Sequence, residues 1–295
     1  EVMYSTDQPL DQWMKSATCK QEMAQLVKNH LTRLGIDCAI AEGKCETSQR
    51  VNYQLQRQPL ISMVIPTLDR LPLLKRCIES IMEKTQWQNY ELIIVDNQSS
   101  DADACDYLNQ LEALALEQVR ILRFPQPFNF SAINNFAVPH CRGELLLFLN
   151  NDINVIEGNW LGALAEHALR PEVGAVGACL EFDDSRIQHG GILTGIYLGS
   201  YTAFENSPAD ENGYLNYLKC THNVNAVSAA CMMVRKAVFE EVQGFNAEAF
   251  PLYLGDTDIG LRLRKLGYLN VWTPHARVMH MGGATRLLPN FSGSR

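Results

Sequence analysis

Carboxylates and amides cluster at four points in this 295-residue sequence, each beside an apolar run. Asn150-Asn151-Asp152 follows the five apolar residues Leu145 to Leu149, Asp69-Arg70 follows Leu60 to Thr67, and Asp96-Asn97 follows Glu91 to Val95. Asp256-Thr257-Asp258 opens a helical pattern. An Asp where a buried strand emerges can hold a divalent cation, and the cation can hold a diphosphate. An ionised carboxylate such as Asp96 only accepts hydrogen bonds, which suits the N–H and hydroxyl donors of a nucleobase or ribose. Three of the clusters also have a structural use. Asn150, Asn151 and Asp152 are turn formers, Asp-Asn-Gln-Ser-Ser-Asp (96 to 101) is a good Asx turn or cap, and Asp256 or Asp258 at a helix start stabilises the first turn by about 1 kcal/mol.

The elements that must position these groups alternate from Pro59 onward, the pattern of a mostly parallel sheet with helices on its faces. Leu60 to Ile65 reads as a strand closed by Pro66, and Leu71 to Glu83 as a helix with Leu74, Ile78 and Ile81 on one face. Strands are expected at Glu91 to Val95, Val119 to Phe124 and Glu144 to Leu149, with a helix reaching about Glu117 after the first of these. In an open α/β sheet the ligand crevice lies outside the carboxyl ends of the strands, so Asp69 with Arg70, Asp96 with Asn97, and Asn150 to Asp152 should converge. The second half looks mixed: a strand over Val173 to Leu180, a Gly- and Tyr-rich loop region from Gly190 to Tyr217, a buried run from Ala226 to Val234, and a helix from about Asp256 to before Gly267. Residues 1 to 58 read as a small helical and irregular extension, with an amphipathic helix near Gln21 to Leu34.

Composition narrows the possibilities. At 46% apolar content the chain can bury a real core. No apolar stretch approaches the roughly 18 residues that span a bilayer, and Glu1 to Asp11 lacks the pattern of a signal peptide, so a cytoplasmic protein is expected. The first residue is Glu, as in a piece excised from a longer protein. Nine scattered cysteines without a Cys-x-x-Cys pair suggest reduced thiols. A net charge of −8 argues against nucleic acid as a partner. With no Gly-x-Gly-x-x-Gly after the first strand and no Gly-x-x-x-x-Gly-Lys-Ser/Thr, neither a standard dinucleotide site nor a P-loop is expected.

Six segments in order then point to a family. They are Ile-Pro-Thr-Leu-Asp-Arg (65 to 70), Ile-Ile-Val-Asp-Asn-Gln-Ser-Ser-Asp (93 to 101), Phe-Asn-Phe-Ser-Ala-Ile-Asn-Asn-Phe-Ala (128 to 137), Leu-Phe-Leu-Asn-Asn-Asp (147 to 152), Gly-Asp-Thr-Asp-Ile-Gly-Leu-Arg-Leu-Arg-Lys-Leu-Gly-Tyr (255 to 268) and Val-Met-His-Met-Gly-Gly (278 to 283). Together they resemble family 2 glycosyltransferases of the GT-A fold, especially bacterial members that build O-antigen and other surface polysaccharides. The resemblance implies a GT-A domain over residues 59 to 286 and a tail over 287 to 295.

It also implies roles. Asp69 and Asp96 match the nucleoside-binding carboxylates, with Pro66, Thr67, Arg70 and Asn97 beside them. Asn150-Asn151-Asp152 matches the family's Asp-x-Asp element with its first acid replaced by Asn. Asp152 would be the metal-binding carboxylate, and His280 would complete the site. Mn²⁺ or Mg²⁺ is the implied cofactor, and imidazole suits Mn²⁺ better. Asp256 matches the catalytic base, within a Glu-Asp-x-Asp pattern whose Glu is Gly255 here. Asp258 would orient the loop or contact the acceptor. Asn134 and Asn135 would touch the donor or start a helix, and Arg286 would reach the diphosphate or stand in solvent. Tyr197, Tyr201, Tyr214 and Tyr217 could stack on an acceptor sugar, although packing is the commoner fate of such residues.

The reaction expected is metal-dependent, inverting transfer of a hexosyl or deoxyhexosyl group from a nucleotide-diphosphate sugar to a hydroxyl of a saccharide or lipid-linked acceptor. The resemblance leaves room for peripheral association with the inner membrane or with a larger polysaccharide-assembly protein. Two other readings stand beside it. One is a catalytically silent GT-A module, favoured by Asn150 and Gly255. The other is a sugar-1-phosphate nucleotidyltransferase, disfavoured because residues 66 to 70 contain no glycine.

Overall fold

A computed structural model of the protein describes residues 12, 15–46, 48–196 and 199–281. The chain begins with helix α1 (Ala17–Arg33), capped by Ser16, and an antiparallel hairpin, β1 (Cys38–Glu42) with β2 (Gln49–Tyr53). The hairpin stands in the extension expected to be helical and irregular over residues 1 to 58. β2 is half-buried along its whole length and mostly polar, and β1 is a run of mostly small apolar residues that is largely exposed, so neither carries the apolar–polar alternation that announces a strand. It is held to the body of the protein by Glu166, which accepts from the Tyr53 backbone N–H at 3.2 Å and from Arg50 at 3.1 Å.

The main sheet starts with β3 (Ile61–Thr67), buried throughout. Then come α2 (Leu71–Lys84), β4 (Tyr90–Asp96), α3 (Ala102–Ala113) and β5 (Val119–Arg123). Helix α4 (Phe130–Ala137) and a short 3₁₀ turn lead to β6 (Leu145–Leu149), with every residue buried, and β7 (Ile153–Val155). The second half runs α5 (Trp160–Ala168), β8 (Val173–Glu181), β9 (Ile187–His189), β10 (Ile192–Thr194), β11 (Ser200–Thr202) and β12 (His222–Val224). It ends with β13 (Cys231–Arg235), α6 (Lys236–Glu241), α7 (Gly255–Lys265) and β14 (Leu269–His280). The region expected to be loop, 190 to 217, thus carries the small β10–β11 pair, and the expected run 226 to 234 is strand only from Cys231. The helix expected to reach Glu117 stops at Ala113.

The sheet order is β12-β14-β8-β13-β6-β3-β4-β5, with β7 paired to β14 and β9 to β8. Strands β6, β3, β4 and β5 are mutually parallel, so their carboxyl ends lie on one edge. β13 is antiparallel to both neighbours, which makes the sheet mixed, as expected. One face is filled by Trp160, Leu161 and Leu164 of α5 with Leu74, Ile78 and Ile81 of α2, and the other by Phe148, Phe239, Phe245 and Trp272. Both faces being covered explains why the central strands are apolar runs rather than alternating ones.

Candidate functional site

The nucleotide side of the crevice is built where β3 and β4 end. Asp69 and Arg70 both adopt left-handed backbone, with φ of 50° and 53°. Such geometry costs energy for residues with a Cβ and is retained where neighbouring contacts enforce it. Here Asp69 Oδ1 accepts from the Ser100 and Asp101 backbone N–H groups at 2.7 and 2.8 Å, and Asp69 N–H donates to Ser99 Oγ at 2.9 Å. Asp96 Oδ1 accepts from Ser99 N–H at 3.1 Å, and its Oδ2 lies 3.2 Å from Arg123 Nη1. The two carboxylates brace the two loops. Asn97 is spent on scaffolding too, donating to the Phe124 and Gln126 carbonyls at 3.2 and 2.7 Å. Pro66 lies within β3, opposite Val95, and Thr67 Oγ1 accepts from Asn151 Nδ2 at 3.0 Å, tying β3 to the turn after β6.

The cation side is built from β6, β7, β14 and β9. Antiparallel register places His280 opposite Ile153, so the last residue of β14 stands beside Asp152. His280 Nε2 lies 3.0 Å from Asp152 Oδ1 and 3.1 Å from Asn150 Nδ2. An amide nitrogen only donates, so this contact calls for a lone pair on Nε2; the other ring nitrogen, Nδ1, meets Gln188 Oε1, which only accepts. The tautomer that satisfies both contacts carries its proton on Nδ1 and turns its Nε2 lone pair inward. Asp152 Oδ1 is buried and has no aligned hydrogen-bond donor, because the Nε2 contact lacks the geometry. Two electron-rich atoms facing one another, with an amide fixing the imidazole from behind, match the donor chemistry of a divalent cation site. Among the described residues no third His, Cys, Asp or Glu joins them, so other ligands would be oxygens of a bound diphosphate or water.

The third corner is the amino end of α7. Leu254, left-handed at φ 63°, turns the chain so that Asp256 and Asp258 fall in the first helical turn, where the helix dipole favours negative charge. Asp256 Oδ1 accepts from Thr257 N–H at 2.8 Å and Oδ2 from Ala229 N–H at 3.4 Å, a long bond. Asp258 is paired with Arg262 at 2.7 Å, and Arg262 also donates to the Gly244 carbonyl at 2.7 Å, so Asp258 is a loop anchor. The missing acid at 255 has a packing correlate: a Cβ on Gly255 would come within 2.9 Å of Ser131 Oγ. Ser131 is itself tied to the Phe250 carbonyl at 2.6 Å.

Two expected contacts fall elsewhere. Asn135 uses its whole amide on Phe245, accepting from its N–H at 2.9 Å and donating to its carbonyl at 2.7 Å, so it braces the loop before α7. Asn134 is fully buried and donates to the Phe130 carbonyl at 2.8 Å. Arg286 and Tyr197 lie outside the described residues. Gln188 was not anticipated. Nothing in a Gln within a loop-like stretch separates it from any other.

A crevice with carboxylates along the ends of parallel strands and an acid–imidazole pair at the adjoining mixed edge belongs to the GT-A class of nucleotide-sugar folds. The model of glycosyl transferase family 2 matches residues 62–243, and the chain belongs to that family. It is 39% identical over 263 residues to protein y4gI of Sinorhizobium fredii, covering 88% of this chain and 29% of that one. It is 33% identical over 270 residues to the O-antigen biosynthesis protein RfbC of Myxococcus xanthus, covering 91% of this chain and 21% of RfbC. The chain thus spans less than a third of either relative. Among solved structures, GalNAc-T7 with UDP, GalNAc and Mn²⁺ superposes with a TM-score of 0.65 at 15% identity, over 81% of this chain and 46% of that one, a likeness of fold. No helix among the described residues is long and apolar enough to cross a membrane.

Proposed function

We propose that this domain transfers a hexosyl or deoxyhexosyl group, with inversion, from a nucleoside-diphosphate sugar to a hydroxyl of a saccharide or lipid-linked saccharide during surface-polysaccharide assembly. The observation that carries the reading is the buried, donor-less Asp152 Oδ1 facing the Nε2 lone pair of His280. Asp152 and His280 would hold Mn²⁺ or Mg²⁺, which when bound neutralises charge on the leaving diphosphate. The neutral Asn150 lowers the charge offered to a cation, so tight binding would wait for the diphosphate.

The rest falls to the chain's own groups. Asp69 and Asp96 stand at the ends of β3 and β4 as acceptors for the nucleoside, and Asp69 braces the loop that would lie against it. A sugar hydroxyl is a poor nucleophile, and Asp256, anchored by two backbone N–H groups, would take its proton as the new bond forms. Attack from the face opposite the diphosphate inverts the anomeric centre.

RfbC, named for O-antigen biosynthesis, supports the polysaccharide setting. A mycobacterial N-acetylglucosaminyl-diphospho-decaprenol L-rhamnosyltransferase, 42% identical over 57 residues, supports a lipid-linked acceptor. The deciding experiment incubates the protein with a panel of nucleotide sugars and Mn²⁺ and follows release of nucleoside diphosphate. Release of nucleoside diphosphate with a sugar transferred or hydrolysed supports the reading. Nucleotide binding without consumption of any sugar would identify a silent module instead.

A further inference from the structure

We infer that Gln188 and His189, neighbours on β9, are the positioning pair that holds the two chemical ends of the crevice in fixed relation. Gln188 sets the imidazole of His280, and His189 sets the turn that meets Asp256. The inference rests on the roles proposed above for His280 and Asp256.

Successive side chains of a strand point to opposite faces, so one short strand can serve two clients. Gln188 grips His280 twice. Its Oε1 meets the ring Nδ1, and its Nε2 donates to the His280 carbonyl at 3.3 Å. The second contact fixes which end of the Gln188 amide faces the ring, and therefore which nitrogen of His280 keeps its lone pair. On the other side, His189 Nε2 accepts from Ser228 N–H at 3.2 Å. Ser228 opens a tight turn in which its Oγ accepts from Ala230 N–H at 3.3 Å. The same turn gives Ala229 N–H to Asp256, and its Ala230 carbonyl accepts from Asn150 N–H at 3.0 Å. The contacts close a circuit from His280 through β9 to the turn, then outward to Asp256 and back to Asn150.

Several features suit β9 to this work rather than to sheet building. It has three residues and pairs with β8 through a register shift between Leu180 and Glu181, the kind of irregularity that re-aims side chains, while on its other edge Ile187 exchanges backbone hydrogen bonds with Asn206 and Ser207. Its backbone is held in place from β14, because Trp272 Nε1 donates to the His189 carbonyl at 3.1 Å. His189 is 2% exposed, yet its Nδ1 has no hydrogen-bond partner. An apolar residue would fill that space without an orphaned polar atom, so packing alone does not account for an imidazole there. Because Ser228 N–H donates to Nε2, that nitrogen is the acceptor and the ring proton of the neutral imidazole falls on Nδ1. Gly191, at φ 103°, lets the chain turn immediately after the pair.

The test reads the two arms separately. Mn²⁺ is titrated by electron paramagnetic resonance in saturating UDP and, in parallel, GDP. Exchange of the Ser228 and Ala229 amides is followed in the same proteins, with thermal unfolding as a control for folding. Gln188→Leu should weaken Mn²⁺ binding about 10- to 100-fold, the usual effect of losing the outer partner of a ligating histidine, whereas Gln188→Glu, which keeps an acceptor oxygen, should retain it. His189→Leu should leave Mn²⁺ affinity in place and speed exchange of both amides by about tenfold or more, whereas His189→Gln, which puts an acceptor near Nε2, should restore protection. Wild-type Mn²⁺ affinity in Gln188→Leu, or unchanged exchange in His189→Leu, overturns the inference. Absence of Mn²⁺ binding in the unmodified protein would instead overturn the metal-dependent reading itself, and the Gln188 arm with it.

Discussion

His280 Nε2 and Asp152 Oδ1 lie 3.0 Å apart although 128 residues separate them in sequence, because β14 runs antiparallel to β7 and ends beside the turn after β6. Asp152→Ala leaves the imidazole without its acidic partner. Mn²⁺ affinity, measured with nucleoside diphosphate present, should fall by more than the roughly 10–100-fold that loss of an outer partner costs. Thermal stability without metal should be unchanged or higher, since a buried carboxylate oxygen lacking a donor has been removed. Unchanged Mn²⁺ affinity in this variant would refute the metal assignment.

Asp256 supplies the second test. Asp256→Asn keeps the size of the side chain and one oxygen, enough for the closer Thr257 N–H but not for the long Ala229 contact as well, and it cannot take a proton at neutral pH. Transfer should drop about 10²–10⁴-fold while donor and metal affinities stay within error. Full turnover would fault the assignment of the base, whereas a matching loss of donor affinity would mean that Asp256 supports the crevice and not the chemistry.

Glu91, at the start of β4 and 1% exposed, accepts from Ser62 Oγ at 2.6 Å, from Arg142 N–H at 2.7 Å and from Arg120 at 2.9 Å. Burial raises its pKa, but the hydrogen bonds from Ser62 and Arg142 and the Arg120 charge outweigh that and leave it lowered. Glu91→Ala strips acceptors from several buried donors at once and should cost about 3 kcal/mol in urea unfolding. It is far from the crevice, so activity per folded molecule should be unaffected.

Acid sensitivity should come from buried histidines, His167 and His275 among them. Burial first, then the charges of Arg170 and Arg50, pushes His167 down to about 3; burial, then Arg50, Lys44 and His167, does the same to His275. Unfolding restores a pKa near 6.5, so the unfolded chain binds protons that the folded chain refuses. Stability should be flat with respect to these groups above about pH 7. From about 6.5 down to about 3 each should remove roughly 1.4 kcal/mol per pH unit. Urea midpoints at pH 7, 6 and 5 for the wild type and for His167→Gln measure this: equal slopes for the two proteins would rule His167 out.

Strands β3, β4 and β6 were legible because they are covered on both faces and so appear as largely apolar runs that stop at or just before Asp or Asn. The hairpin β1–β2 and the strand β14 were not. β2 is mostly polar and half-buried and β1 is short and largely exposed, and β14 contains Pro274, His275 and Arg277 and pairs with β8 through a register shift between Thr273 and Arg277. His280 could be singled out only through the family resemblance, since its partners Asp152 and Gln188 are distant in sequence. The same blindness hides Gln188 and His189. In contrast, the turn-forming use of Asp96 was visible as an alternative and is present, because its carboxylate has the backbone N–H three residues on within reach whether or not a ligand arrives, whereas the Asp69 contacts reach across to Ser100 and Asp101 and leave no local signal.

The single stretch from Gly255 to His280 bears the proposed proton acceptor at its beginning and the proposed metal-facing imidazole at its end. The proposed base and the imidazole half of the proposed cation site therefore travel together, while the acidic half, Asp152, and the orienting Gln188 sit on other elements. Exchanging residues 255–280 between relatives should carry the base and the imidazole across in one step, with cation binding kept only where the host supplies a matching Asp152 and Gln188.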